Sequence, residues 1–161
     1  MKHSFLPHLT AHTHALFLGT LPGDISLLEQ KYYAHPQNKF WKLFYGVCNQ
    51  DFEEDYDKRV EFFLNKGFGL WDVLRKGERQ GSLDTAIKNF EINDFVGLHE
   101  NYPNVKTLYF TSKQAYRWYF KKYKEELPYR LVVLSSPSPA NARMTFDQKL
   151  EDWRQKIVLH P

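Results

Sequence analysis

The sequence predicts an α/β fold: a three-layer α/β/α sandwich with a central, mostly parallel sheet. Three observations carry that prediction. Strand-like and helix-like segments alternate along the chain. The strand-like segments are continuous apolar runs, as expected when both faces of a sheet are covered. The helix-like segments between them carry apolar residues at helical spacing or a capping residue at their start. With 161 residues and no Gly/Ser-rich or Pro-rich linker, one domain over residues 1–161 is expected.

Ala15-Leu16-Phe17-Leu18-Gly19 is a short apolar run stopped by glycine, which predicts a buried strand and then a turn. Ser26 to Tyr33 has room for one or two helical turns. Phe40 to Gly46, with five large apolar residues, predicts a buried helix. The polar stretch Asn49 to Arg59 predicts a solvated loop leading into a helix over Arg59 to Asn65, ended at Gly67. Gly69 to Leu74 predicts a second short strand or an extended entry into a helix. A helix capped by Ser82 is expected over Ser82 to Lys88, and another over Ile92 to Glu100 with Asn93 or Asp94 as its cap. Val105 to Thr111 predicts a strand, Lys113 to Lys124 a helix, Arg130 to Leu134 a strand, and Phe146 to Ile157 a closing helix with apolar residues at 146, 150, 153 and 157.

Composition narrows the functions. One cysteine cannot form an internal disulfide, a zinc knuckle or an iron–sulfur site. The histidines His3, His8, His12 and His14 lack a helical i, i+4 array with a carboxylate, so no metal site is expected. The N-terminus has no signal-peptide apolar stretch and no run approaches a membrane span, which predicts a soluble cytoplasmic protein. The formal net charge of +3 does not by itself announce nucleic acid. Aromatic content of 17% suits a core, an interface or a platform on which bases stack.

In open α/β sheets ligands bind beyond the carboxyl ends of the strands, so the segments there were the candidates. Gly19-Thr20-Leu21-Pro22-Gly23-Asp24 is a tight turn able to present backbone N–H groups to a ligand, or an ordinary strand-to-helix turn. It lacks the Lys-Ser/Thr of a Walker loop. Tyr32-Tyr33-Ala34-His35-Pro36-Gln37-Asn38-Lys39-Phe40-Trp41 offers Tyr33 for stacking and the Asn38 amide for a water or a base edge. In the same string Tyr32, Phe40 and Trp41 suit the core, and Asn38 also suits a helix cap. Ser135 to Arg143 is rich in small and rigid residues, which suits a loop pressed against a phosphate backbone.

Together these three segments resemble the uracil-DNA glycosylase superfamily, most closely its hypoxanthine-DNA (deoxyinosine) glycosylase branch, next to the mismatch-specific uracil/thymine-DNA glycosylases. Gly19 to Gly23 is similar to the first superfamily motif, Tyr33 to Trp41 to a string of the mismatch-specific branch, and Ser136-Pro137-Ser138-Pro139 to the second motif. Gly69 to Leu74 with Arg79-x-Gly81-Ser82-Leu83-Asp84 also resembles the hypoxanthine branch. The resemblance spans about residues 14 to 155 and implies the uracil-DNA glycosylase-like sandwich. It departs at two positions: Leu21 stands where most of the superfamily has Asn or Asp, and Ser136 where His or Asn begins the second motif. The hypoxanthine branch shares the first departure.

The resemblance implies a monofunctional DNA glycosylase of base excision repair. It would release deaminated bases, hypoxanthine foremost and xanthine or uracil after it, from DNA carrying deaminated or mismatched bases. Such an enzyme flips its target base out of the stack. The implied roles are Asn38 as the catalytic, water-holding residue; Tyr33, Thr20, Leu21 and Gly23 as base-binding; and Ser136, Pro137, Ser138, Pro139, Asn141, Arg143 and Lys113 as DNA-binding. Asp24 and Asp72 stand behind Asn38 as further candidates, Asp72 with a turn or cap role as its simpler reading. No cofactor, no metal, no lysine nucleophile and a monomer are expected, and the single cysteine excludes the superfamily's iron–sulfur branches. The alternatives are a non-catalytic DNA-lesion-binding module on the same fold, and a small-molecule enzyme, which lacks the Walker and dinucleotide signatures.

Overall fold

The computed structural model describes residues 1–80 and 83–160. Its centre is a four-stranded sheet of β2 (Ala15–Gly19), β3 (Phe68–Asp72), β6 (Thr107–Phe110) and β7 (Arg130–Val133), in the order β3-β2-β6-β7 with every pair parallel. A smaller antiparallel sheet joins β1 (Lys2–His3), β4 (Leu74–Glu78) and β5 (Lys88–Ile92) in the order β1-β4-β5.

Side chains on β2 alternate between two cores, as the strand period requires. Phe17 points into an aromatic core shared with α2 (Phe40–Val47), α3 (Tyr56–Asn65) and α6 (Phe146–Lys156). Its ring lies 5.7 Å from Phe40, 5.2 Å from Phe63, 4.9 Å from Tyr109 and 6.0 Å from Trp153. Leu16 and Leu18 point the other way, into a core with Phe95 of α4 (Phe95–Asn101) and Tyr119 of α5 (Lys113–Tyr123). Helices thus cover both faces of the parallel sheet, and its strands read as unbroken apolar runs for that reason.

Local chemistry sets the helix boundaries. Asp55 starts α3 by accepting from the Asp57 N–H, which moves the start upstream of the expected Arg59. Asp94, not Asn93, caps α4 through the Gly97 N–H, while the Asn93 amide donates to the Asp72 carbonyl. Ser112 caps α5, and Thr145 with Gln148 forms a reciprocal capping box on α6. The short α1 (Asp24–Glu29) ends where Gln30 turns left-handed, before the expected limit at Tyr33.

The helix expected over Ser82 to Lys88 is corrected. Ser82 lies outside the described residues. The chain makes one 3₁₀ turn at Asp84–Ala86 and enters β5 at Lys88, which pairs with Glu78 of β4. The smaller sheet was missed because β4 and β5 are short and carry charges on their exposed positions, so neither shows an apolar run. Among the described residues no helix is long and apolar enough to cross a membrane.

Phe17→Ala should lower the unfolding free energy by about 3–5 kcal/mol, because its ring touches the sheet and three helices at once. Urea unfolding followed by near-ultraviolet circular dichroism checks this.

Candidate active site

A cleft of about 550 Å3 opens beyond the carboxyl ends of β2, β3 and β6, where an open α/β sheet places its ligands. Three loops and the end of β3 build it.

The first loop, Gly19 to Asp24, leaves the central strand. Its backbone continues to pair with the chain after β3, since the Val73 and Leu74 N–H groups donate to the Gly19 and Thr20 carbonyls at 2.8 and 3.0 Å. Arg79 clamps the turn from the side. Its Nη2 donates to the Pro22 carbonyl at 2.7 Å and to the Leu21 carbonyl at 3.3 Å, and its Nη1 lies 3.5 Å from Asp84 Oδ1. The Thr20 hydroxyl donates to the same Asp84 oxygen at 2.7 Å. With its side chain only 2% exposed, Arg79 is a charge that must be met by acceptors, and here they are the carbonyls of the loop itself.

The second loop runs from Tyr33 to the start of α2. Tyr33 holds φ at 56°, a left-handed conformation rare for a bulky residue and a mark of local strain. Its ring stacks on Phe40 at 3.9 Å and 4°. One face is therefore taken by the core, while the residue still lines the cleft. The Thr111 hydroxyl donates to the Leu18 carbonyl at 3.1 Å, so in its 3.3 Å contact with Tyr33 the phenol is the donor. Asn38 Oδ1 accepts from the Phe40 N–H at 2.9 Å. This meets the first backbone N–H of α2 from the residue before its N-cap, Lys39, and fixes which end of the amide is oxygen.

The third loop, Ser135 to Arg143, is tied at three points, one at the start of α2 and two on α6. The Lys39 N–H donates to the Pro137 carbonyl at 2.9 Å, the Trp153 indole to the Ser135 carbonyl at 2.8 Å, and the buried Lys149 ammonium to the Ser138 carbonyl at 3.3 Å. The Asn141 amide donates to the Ser136 carbonyl within the loop.

The floor of the cleft is its most unusual part. Parallel pairing sets Asp72 beside Gly19. A Cβ on residue 19 would lie 2.8 Å from Asp72 Oδ1 and 3.2 Å from the Tyr33 hydroxyl oxygen. Asp72 is 4% exposed, and its Oδ2 is buried without a hydrogen-bond partner among the described residues. Burial pushes its pKa up to about 7; the Arg79 charge pulls against the rise and the Asp84 charge adds to it. Burial, with the Asp72 charge beside it, also raises the Tyr33 phenol above its usual range.

Of the residues singled out from the sequence, Thr20, Leu21, Gly23, Tyr33, Asn38 and Ser136 through Pro139 line this one cleft. Asn141, Arg143 and Lys113 are not on its wall; Arg143 and Lys113 are exposed nearby on the third loop and at the start of α5. Sequence reasoning gave Asp72 only a reserve role and no role to Arg79, Asp84 or Thr111. The available signal was an acidic residue ending an apolar strand, followed by an arginine that the fold then buries.

A family model described as the uracil DNA glycosylase superfamily matches residues 6–158. The chain belongs to that superfamily. A hypoxanthine DNA glycosylase of Methanosarcina barkeri is 36% identical over 149 residues, covering 92% of this chain and 93% of its own. One of Methanosarcina acetivorans is 34% identical over 152 residues, with 94% and 95% covered. A solution NMR structure of a Methanosarcina acetivorans protein proposed to be a uracil DNA glycosylase superposes with a TM-score of 0.81 at 33% identity, covering 96% of this chain and 97% of that one. The family's chemistry, release of a base from DNA, is the frame for a cleft walled by hydroxyls, backbone N–H groups and one buried carboxyl.

The Asp72 pKa carries a stability consequence. The folded protein keeps a proton that the unfolded chain gives up at an ordinary carboxylate pKa, so this group makes stability fall as pH rises from about 4 to about 7. The steepest slope is about 1.4 kcal/mol per pH unit. Asp72→Asn should remove that contribution, leaving the variant progressively more stable than the wild type as pH rises from 5 to about 7, with the margin levelling off above that, in denaturant titrations.

Proposed function

We propose that this protein is a monofunctional DNA glycosylase that hydrolyses the N-glycosidic bond of deaminated bases, hypoxanthine first, with xanthine or uracil as lesser substrates. The reading rests above all on Tyr33 and Asn38 lining the same cleft as the Gly19–Gly23 turn, in a chain whose relatives are hypoxanthine DNA glycosylases. A deaminated base mispairs, costs less to extrude, and so helps select itself.

The flipped base stacks on the face of Tyr33 that Phe40 leaves free. Backbone groups of Thr20, Leu21 and Gly23 meet its edge. Asn38 Oδ1 has one lone pair committed to the Phe40 N–H and holds the attacking water with the other. An amide is no strong base, and none is required while the sugar carries most of the positive charge in an oxocarbenium-like transition state, stabilised by the DNA phosphates around it. Ser136, Pro137, Ser138 and Pro139 press against the DNA backbone beside the cleft. Asn141 holds that loop in shape through the Ser136 carbonyl, and Arg143 and Lys113 meet phosphates, Lys113 at a helix N-terminus. The protein acts as a monomer of one domain and needs no cofactor or metal.

The second reading, a lesion-binding module without catalysis, is favoured by two features: Leu21 has no polar side chain, and the Asn38 oxygen is already engaged by the Phe40 N–H. A duplex with a single deoxyinosine, incubated with the protein and then alkali, separates the two. Strand cleavage at the lesion is expected; tight lesion binding with no cleavage establishes the module.

Asn38→Ala should slow base release by about 10²-fold or more and cost about 1 kcal/mol through the lost bond from the Phe40 N–H. Asn38→Asp keeps an acceptor for that N–H, so single-turnover rates and thermal melts on both variants separate catalysis from folding. Arg143→Ala and Lys113→Ala should weaken binding to lesion and normal duplexes alike, and each should lower the salt slope of binding by about one ion, as read by fluorescence anisotropy.

A further inference from the structure

We propose that Asp72 is a catalytic acid of this site, giving its proton to the purine as the base departs and so supplying chemistry that Leu21 cannot. The proposal deepens the function above and rests on it.

Four observations carry it. Asp72 lines the cleft, and only the missing side chain of Gly19 leaves room beside its Oδ1, since a Cβ there would lie 2.8 Å from that oxygen. Its Oδ2 is buried with no partner among the described residues, and an unmet buried carboxyl oxygen costs stability. No structural role repays that cost: β3 pairs with β2 through backbone, and the Asp72 carbonyl, not its carboxyl, accepts from Asn93. Strongly perturbed groups in a cleft mark functional sites more often than chance. Finally, the nearby charges keep the acid neutral. Arg79, the adjacent cation, spends its Nη groups on the Leu21 and Pro22 carbonyls and on Asp84. Asp84 raises the proton affinity of Asp72, and the other groups facing it, Tyr33 and Tyr32, are neutral phenols. The resulting pKa, about 7, is where a general acid works best at neutral pH.

The chemistry balances. The C1′–N9 bond breaks and its electron pair stays with the purine. The Asp72 carboxyl proton passes to N7, the basic ring nitrogen exposed on a purine edge, and the base leaves neutral. The carboxylate formed on the cleft floor adds negative charge near the cationic sugar. Water held at Asn38 forms the new C1′–O bond, and the proton it loses restores Asp72 through solvent. A pyrimidine has no N7, so the device favours purines and selects hypoxanthine over uracil.

The test compares wild type and Asp72→Asn in single turnover from pH 5 to pH 9, on duplexes carrying deoxyinosine or 7-deaza-deoxyinosine. The wild-type rate on deoxyinosine should fall as pH rises through about 7, because the protonated acid is the active form. Asp72→Asn should be about 10²-fold slower at pH 6 and flat across the range. The deaza substrate should lose a similar factor with wild type and no more with the variant. An Asp72→Asn enzyme that keeps the wild-type rate and pH profile, or that slows both substrates equally, overturns the proposal. Should the variant fail to melt cooperatively, carbon-13 titration of the wild-type Asp72 carboxyl decides: a midpoint near 7 supports the acid, and one in the ordinary carboxylate range overturns it. A wild type that releases no base from any duplex instead removes the glycosylase reading itself, a result the titration does not mimic.

Discussion

The site depends on the absence of a side chain at Gly19. Parallel pairing of β2 with β3 brings Asp72 level with that residue, and pairing of β2 with β6 leads the chain to Thr111 on the other side. Tyr33 enters from above, held in a left-handed conformation by its stack on Phe40. Any Cβ at position 19 would push against the carboxylate and the phenol together. One atom left out of the central strand therefore creates the floor on which the three groups meet, and the remaining walls are loops that leave the same strand ends.

Those loops are held by partners that the fold buries. Arg79 reaches from beyond β4 to bind the carbonyls of the first loop, and Asp84 links that guanidinium to the Thr20 hydroxyl. The second and third loops are stitched together by the Lys39 N–H on the Pro137 carbonyl. A rigid frame lets small, weakly polar groups act at set distances, which matters in a cleft whose first loop carries Leu21 rather than a polar residue. The frame also explains why the aromatic core lies so close to the site. Phe40 packs on Phe17 below and on Tyr33 above, so one ring of α2 joins the core to the Tyr33 ring at the cleft.

The burial of Asp72 runs against stability. A buried carboxyl with an unmet oxygen weakens the fold as pH rises toward neutrality. Proteins retain such groups where they work rather than where they pack. Arg79, equally buried, leaves its Nε without a partner among the described residues but spends both Nη groups on carbonyls and a carboxylate, so that its charge orders the backbone it touches.

Much of this was legible in the chain. Ala15 to Gly19 and Val105 to Thr111 read as buried strands because helices cover both faces of the sheet, Arg130 to Leu134 read as a strand although it forms the half-exposed edge, and the loops at their ends carried Tyr33, Asn38 and the Ser-Pro segment in plain order. What stayed hidden depends on contacts far apart in sequence. The small sheet arises because β4 finds partners in β1 and β5, whose residues are too polar and too few to announce themselves. Asp94 displaces Asn93 as the cap because Asn93 is drawn to the Asp72 carbonyl. Residue types and their local spacing determined the layers and the loops, and the family resemblance suggested the stacking and water-holding roles proposed for Tyr33 and Asn38. Only the tertiary structure decided that Asp72 is buried beside a glycine and that Arg79 is spent on other acceptors, because proton affinity follows from burial and from charges that the chain brings together only when folded.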